Sequence, residues 1–524
     1  MSRSGQFAAV VAAILATASL GVTACAPGLA ANPRYASDSG HRAHNSPGAT
    51  TPAPAGPPQV AVPKNELSWR DCTTKVFGDA AVAGPPGVTL DCATYDADLD
   101  PISGASGTLT IGVIRARSAQ TPADAGPLVL TTGSDLPTSA QLPVWLSRSG
   151  ADFLKTRPIV AVDRRGLGMS SPINCRDEFD RQEMRDQSQF ESGNDPVANL
   201  GSVTMTATTN CTDAIAPGDS AYDNAHAAED LERLRSIWDV PSLALLGVGN
   251  GAQVALAYAG SHPDKVARLA LDSPVPLGIN AEGAAEQQVQ GQQAALDAFA
   301  SGCAASNCAL GPDPKGAVND LLAAARDGHG PGGTSVAVLA NAIVTALGYP
   351  DGDRVAATSR LAQTLAAARS GDAGAINALT SRADQTRDTD GQFVNRCSDA
   401  LNRPTPDRVR ELVVQWNKLY PQFGTVAALN LVKCLNWPSG TAPKEVKNLK
   451  VDALLLGVQN DPIAGTNGVA ATAAIVINAG AASKRVIWQG IGHGASIYSA
   501  CALAPLTGYL NSGKAPATDT YCPA

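Results

Sequence analysis

Gly247-Val248-Gly249-Asn250-Gly251 follows the apolar run LALLGV and precedes the small-residue run AQVALAYA. The spacing is that of G-x-S-x-G, a sharp strand-to-helix turn that presents a serine nucleophile. Gly249 stands where the serine should be and has no side chain to attack with. Further along, Asp461 follows the apolar run DALLLGV, and His493 sits between glycines after KRVIWQGI, 32 residues beyond Asp461. A carboxylate and an imidazole placed after core strands are what a nucleophile needs for activation: the imidazole takes the proton and the carboxylate orients the imidazole. The chain therefore carries two candidate partners of a nucleophile and an elbow without one.

Two other chemistries use the same stretch. Ser134, Ser139, Ser170 and Ser171 lie in loops that border the expected site and are candidate substitute nucleophiles, as is a water activated by His493 and Asp461. Gly247-x-Gly249-x-x-Ala252 also fits the G-x-G-x-x-G/A of a dinucleotide-binding turn, with Asp272 placed 23 residues after Gly249 as a ribose acceptor. The mid-chain position of the unit and the motifs around it speak against that remote alternative.

The elements that must hold these residues alternate. GTLTIGVIRA (107–116) has strand alternation, and LVLTT (128–132) and IVAVD (159–163) are short β-branched apolar runs of buried parallel strands. Residues 224–238 place Ala227, Leu231, Leu234 and Ile237 at helical spacing, with Asn224 as the expected N-cap. LALLGV (243–248), the helix from Gly251 and VARLALD (266–272) follow. Such alternation predicts an α/β fold with a mostly parallel, doubly wound sheet. Residues 278–445 read as Ala-rich helices, an insertion expected to cap the site, and 446–524 return to the core pattern with KRVIWQGIGHG as its last strand and loop.

These residues resemble the tripeptidyl-aminopeptidase-like branch of the α/β-hydrolases, exported bacterial serine peptidases and carboxylesterases. The resemblance runs from about Trp69 to Cys522 and is carried by LSWRDC (67–72), VDRRGLGMSSPINC (162–175), AAEDLERLR (227–235), CLNWP (434–438), GVQNDPIAG (457–465) and GIGHG (490–494). It implies an α/β-hydrolase fold with a helical cap, in which Asp461 is the acid, His493 the base and Gly249 the nucleophile position of the triad. It also implies an oxyanion region at Gly133, Ser134 and Asn250. There the chain departs again, because the family's Gly-rich turn is reduced to Gly133-Ser134-Asp135-Leu136-Pro137. Asp135 brings negative charge to a place where an oxyanion must form, which is unfavourable. Two losses at one site point to a hydrolase scaffold with little or no acyl chemistry.

The rest of the chain sets the context. The N-terminus has Arg3, an apolar run from Phe7 to Leu20, and Val22-Thr23-Ala24-Cys25, which resembles a lipoprotein signal (1–24) with Cys25 as the lipidated residue. The Pro/Ala-rich stretch to residue 62 cannot bury enough apolar surface to fold and reads as a tether. The hydrolase core is then expected to begin at 63 and run to 277. With 11 cysteines in all, removing Cys25 leaves ten: Cys72, Cys92, Cys175, Cys211, Cys303, Cys308, Cys397, Cys434, Cys501 and Cys522. An even set in an exported chain suggests disulfides; the sequence leaves the pairing open, with nearest neighbours the simplest choice. No C-x-x-C occurs and no His lies at ligand spacing from them, so no metal or organic cofactor is implied. A net charge of −8 offers no basic face for nucleic acid. The expected partners are a membrane, reached through the lipid anchor, and a peptide-, ester- or lipid-like ligand or another envelope protein.

Overall fold

The computed structural model describes residues 56–187, 189 and 195–524. Cys25 and its signal lie outside the described residues. Gly56–Ala524 forms one compact unit. At its centre is a ten-stranded sheet. In chain order the strands are β1 (Arg70–Asp71), β2 (Val88–Asp98), β3 (Thr108–Ser118), β4 (Leu128–Thr131), β5 (Ile159–Val162), β6 (Leu243–Val248), β7 (Val266–Asp272), β8 (Ala453–Asn460), β9 (Ser483–Ile491) and β10 (Thr520–Cys522). Their order across the sheet is β1-β2-β3-β5-β4-β6-β7-β8-β9-β10. The contacts β1/β2, β2/β3 and β3/β5 are antiparallel, and every contact from β5 to β10 is parallel.

The burial of β4 to β7 explains their composition. Each is buried along its whole length, so each reads as an unbroken apolar run rather than an alternation. By contrast β2 alternates buried and exposed residues, as an antiparallel strand with one solvated face should. Leu, Val and Ala dominate these strands because both faces of the sheet are covered. Trp145, Trp238 and Trp488 supply the large fully buried side chains of the two core layers.

Three expectations are corrected. The helix Asn224–Trp238 is capped by Asp223, whose side chain accepts from the His226 backbone N–H; Asn224 is its first helical residue. The strand before the His493 loop is not the last, since β10 adds beside β9 in parallel. The helical layer over the sheet also draws in more than residues 278–445. Helices Glu178–Asp186 and Pro196–Ile215 share its hydrophobic cluster through Met184, Val197, Leu200 and Ala207. Glu178–Asp186 is strongly polar apart from Met184, which hid its buried contact in the sequence.

The ten described cysteines pair as nearest neighbours: Cys72–Cys92, Cys175–Cys211, Cys303–Cys308, Cys397–Cys434 and Cys501–Cys522. Five disulfides are the chemistry of an oxidising, extracytoplasmic compartment. Among the described residues no helix is long and apolar enough to cross a membrane.

Candidate active site

Gly249 lies between the end of β6 and the helix Gly251–Ser261, with φ +58°. This is the left-handed turn of a nucleophile elbow, which glycine adopts without strain. The loop after β4 presses against it. At Gly133 (φ +60°) an added Cβ would stand 2.5 Å from the Asn250 carbonyl carbon, so only glycine lets the two loops touch.

Asp461 follows β8 directly and His493 follows β9, so two adjacent parallel strands deliver the pair to one end of the sheet. His493 Nδ1 lies 3.0 Å from Asp461 Oδ2, and both residues are fully buried. Asp461 Oδ1 accepts from the backbone N–H groups of Ile463 and Ala464, which fixes the carboxylate. The structure thus brings Asp461, His493 and Gly249 together in triad order.

The serine's space is not empty. A Cβ placed on Gly249 would lie 2.0 Å from Asp135 Oδ2 and 2.6 Å from His493 Nε2. The Asp135 carboxylate therefore fills the volume where a serine side chain would sit. It also takes the site's anion donor: Oδ2 accepts from the Asn250 backbone N–H (2.7 Å), and Oδ1 accepts from Asn250 Nδ2 (2.7 Å). The N–H of the residue after the nucleophile is one half of an oxyanion hole in this arrangement. A carboxylate at the start of a helix is also favoured by the helix dipole. Asp135 behaves as an internal anion bound where a reaction's oxyanion would bind. The sequence located Asp135 near the oxyanion; it did not disclose that the same carboxylate replaces the nucleophile.

Electrostatics follow from this packing. Burial alone would pull the His493 pKa down, but the carboxylates of Asp461 and Asp135 outweigh it and push the imidazole up to about 10. Burial would raise the Asp135 carboxyl, yet His493, the Asn250 N–H and Arg396 hold it below the usual carboxylate range. The result is a buried line of anion, cation and anion. Asp135 Oδ2 and His493 Nε2 are 3.7 Å apart, an ion pair too long for a hydrogen bond, and Nε2 has no hydrogen-bond partner. At neutral pH His493 already holds the proton that a general base would need to accept.

The substitute nucleophiles are mostly engaged. Ser139 Oγ donates to Asp163 Oδ2, Ser170 Oγ donates to the Asp163 carbonyl, and Ser171 Oγ donates to the Thr110 carbonyl. Ser134 is buried and borders the cavity described next. The dinucleotide alternative is overturned by Asp272. Its carboxylate is fully buried and accepts from Ala495 N, Ser496 N and Ser496 Oγ, so it anchors the segment after His493 and offers nothing to a ribose. The helix N-terminus that would hold a pyrophosphate is occupied by Asp135. Arg165 pairs with Asp230, and Arg164 with Asp399, fixing the 163–171 turn.

A cavity of about 320 Å³ opens beside Ser134, Asp135 and Asn250 and runs under the helical layer. Its walls mix apolar side chains such as Val344, Phe423 and Ile463 with arginines and a lysine that the sequence gave no reason to single out.

Two family models match. One, described as an alpha/beta hydrolase fold, covers residues 136–313; the other, described as a TAP-like protein, covers 420–522. Curated relatives include the serine protease Hip1 of Mycobacterium tuberculosis (strain H37Rv) and of Mycobacterium bovis, each 29% identical over 163 residues. That match covers 30% of this chain and about 31% of the relatives' length. Among solved structures, the esterase RhEst1 from Rhodococcus sp. ECU1013 aligns at a TM-score of 0.38 and 15% identity, over 80% of this chain and 99% of its own. A likeness that loose carries no argument about chemistry.

Proposed function

The chain belongs to the TAP-like branch of the α/β-hydrolase superfamily, and from that premise we propose that it is a non-hydrolytic member, a lipid-anchored envelope protein that binds a peptide- or ester-like ligand under its helical layer. One observation carries the reading. The Asp135 carboxylate stands in the nucleophile's place and holds the Asn250 N–H. Three requirements of acyl transfer are lost together. There is no nucleophile at Gly249, the anion site is filled by a fixed charge, and His493 is held as imidazolium. A neutral acyl carbon would have to approach a carboxylate where its own oxyanion should form, which reverses the electrostatics of the reaction. The cavity remains, and with it the capacity to bind. Oxidised cysteines and the sequence around Cys25 support an envelope location.

The test is hydrolysis of ester and peptide substrates by the full chain, with fluorophosphonate labelling and intact mass. No turnover and no label are expected. Turnover that disappears in His493→Ala would defeat the reading. A substrate-derived adduct on Asp135 would instead make that carboxylate a nucleophile. Lipidation is tested separately, by incorporation of an alkyne-tagged fatty acid that Cys25→Ala abolishes.

A further inference from the structure

The cavity's charges do not balance locally. Every carboxylate on its wall has a cationic partner: Asp135 faces His493, Asp384 meets Arg185, Asp388 meets Arg176, and Asp399 meets Arg164. Four cations on the same wall have none; Arg403 is taken up by the backbone carbonyls of Cys397, Trp437 and Pro438, and the other three are less fully engaged. Arg387 reaches only the side-chain oxygen of Asn341, Arg396 reaches the carbonyls of Arg387 and Asp135, and Lys433 makes no side-chain hydrogen bond. Among the described residues none of the three forms an ion pair.

Like charges do not gather at a cavity wall unaided. The Cys397–Cys434 disulfide joins the residues that follow Arg396 and Lys433, and so clamps the two cations side by side. Arg396 in turn bonds the backbone carbonyl of Arg387, at the end of the helix Ala373–Arg387. Their mutual repulsion is visible in their acidity. Burial and the neighbouring Arg396, against the attraction of Tyr349, Asp135 and Asp461, hold Arg387 down to about 10. Burial, with Arg176, Arg396 and Arg387 against the attraction of Asp388, holds Lys433 down to about 8. A half-buried cation without an ion-pair partner gives up part of its hydration unless a counter-charge arrives. Guanidinium groups suit the planar, multi-oxygen face of carboxylate or phosphate. Beside them Phe423, Val426 and Ile463 offer apolar wall.

We infer that this cavity is a binding site for an organic anion, with a carboxylate or phosphate head held by Arg387, Arg396 and Lys433 and an apolar body packed among the helices above the elbow. The inference rests on the reading that the site binds without hydrolysing, and gives that reading a ligand class. The volume admits a medium-length chain rather than a folded peptide.

Calorimetric titration of the full chain with decanoate, decyl phosphate, decanol and decylamine tests it. Decanoate or decyl phosphate should bind, and whichever binds tighter names the head group. Decanol and decylamine should bind at least about ten-fold more weakly, since a hydrogen bond to a charged group contributes about 1.5–3 kcal/mol. Arg387→Gln combined with Lys433→Gln should weaken the anion at least about ten-fold while leaving decanol unchanged. That variant should also melt no lower than the unsubstituted chain, because it relieves repulsion; this separates lost binding from lost fold. Equal affinity for decanol and decanoate, absence of binding by both anions, or undiminished binding by the folded double variant would each overturn the inference. Hydrolysis of a decanoyl ester by the unsubstituted chain would sink the non-hydrolytic reading alone and leave anion binding standing.

Discussion

Restoring the serine should fail unless Asp135 is removed with it. In Gly249→Ser the new Cβ would lie 2.0 Å from Asp135 Oδ2 and 2.6 Å from His493 Nε2, so the carboxylate must move. Moving it breaks two 2.7 Å hydrogen bonds from Asn250. Bonds to a charged group are worth about 1.5–3 kcal/mol each, and the left-handed backbone (φ +58°) adds about 1–2 kcal/mol for a residue with a Cβ. The single substitution should therefore destabilise the chain by roughly 4 kcal/mol or more. It should also stay unlabelled by fluorophosphonate, because the anion site remains filled or the fold is strained. Asp135→Ala with Gly249→Ser removes the 2.0 Å clash, leaves only the 2.6 Å contact with His493 Nε2 for the ring to relieve by shifting, frees the Asn250 N–H and takes one carboxylate from His493. That pair should regain most of the lost stability and acquire the label. The assays are denaturant unfolding and labelling followed by intact mass. If Gly249→Ser alone is as stable as the parent and labels as fast as the double variant, Asp135 does not occupy the nucleophile's volume and the account of the site is wrong.

Other outcomes follow from the same contacts. His493 carries a folded pKa of about 10 against its ordinary value of 6.5, so its stabilising contribution is full below about pH 6.5 and is lost as pH rises towards 10. Unfolding measured across that window should show the loss, and Asp135→Asn should reduce it; a flat profile would contradict the paired imidazolium. Asp272→Ala leaves three donors at Ala495 and Ser496 without an acceptor, at about 1–3 kcal/mol each. Hydrogen exchange over 493–498 should accelerate, with a loss of about 3 kcal/mol or more in denaturant. Removing the Cys397–Cys434 bridge by a double Ser substitution opens a loop of sequence separation 37 and should lose about 3–4 kcal/mol. A corresponding fall in the melting point is expected without reductant and should vanish when both proteins are fully reduced.

Much of this is legible in the sequence, for identifiable reasons. The buried parallel strands announce themselves because both faces are covered, and LALLGV and VARLALD fall within β6 and β7 residue for residue. Asp461 and His493 were legible because each ends a strand and neighbouring parallel strands deliver their ends to one place. Gly249 and Asp135 were each visible as departures, but their relation was not. A small residue at one loop and a carboxylate at another are complementary only once Gly133 lets the loops touch. The cations escaped notice because Arg387, Arg396 and Lys433 are scattered along helices where arginine and lysine ordinarily face water. Only packing and one disulfide turn them towards a common space. Asp223 was missed as a cap because Asn224 beside it is an equally good capping type.

An open sheet leaves unpaired N–H and C=O groups on its outermost strands, ready to recruit a neighbouring molecule. Here the outermost strands are only two and three residues long. Each is also sewn down: Cys72 follows β1 and bridges to Cys92 in β2, and Cys522 within β10 bridges to Cys501 in the helix Ala500–Ser512. A rim that is short cannot template a long ladder, and one that is covalently tied cannot peel back to lengthen it. Both edges of the sheet are thereby closed to self-assembly. The bridges at the rims serve colloidal stability as well as the fold. Opening either should show first as time-dependent association, before any change in secondary structure.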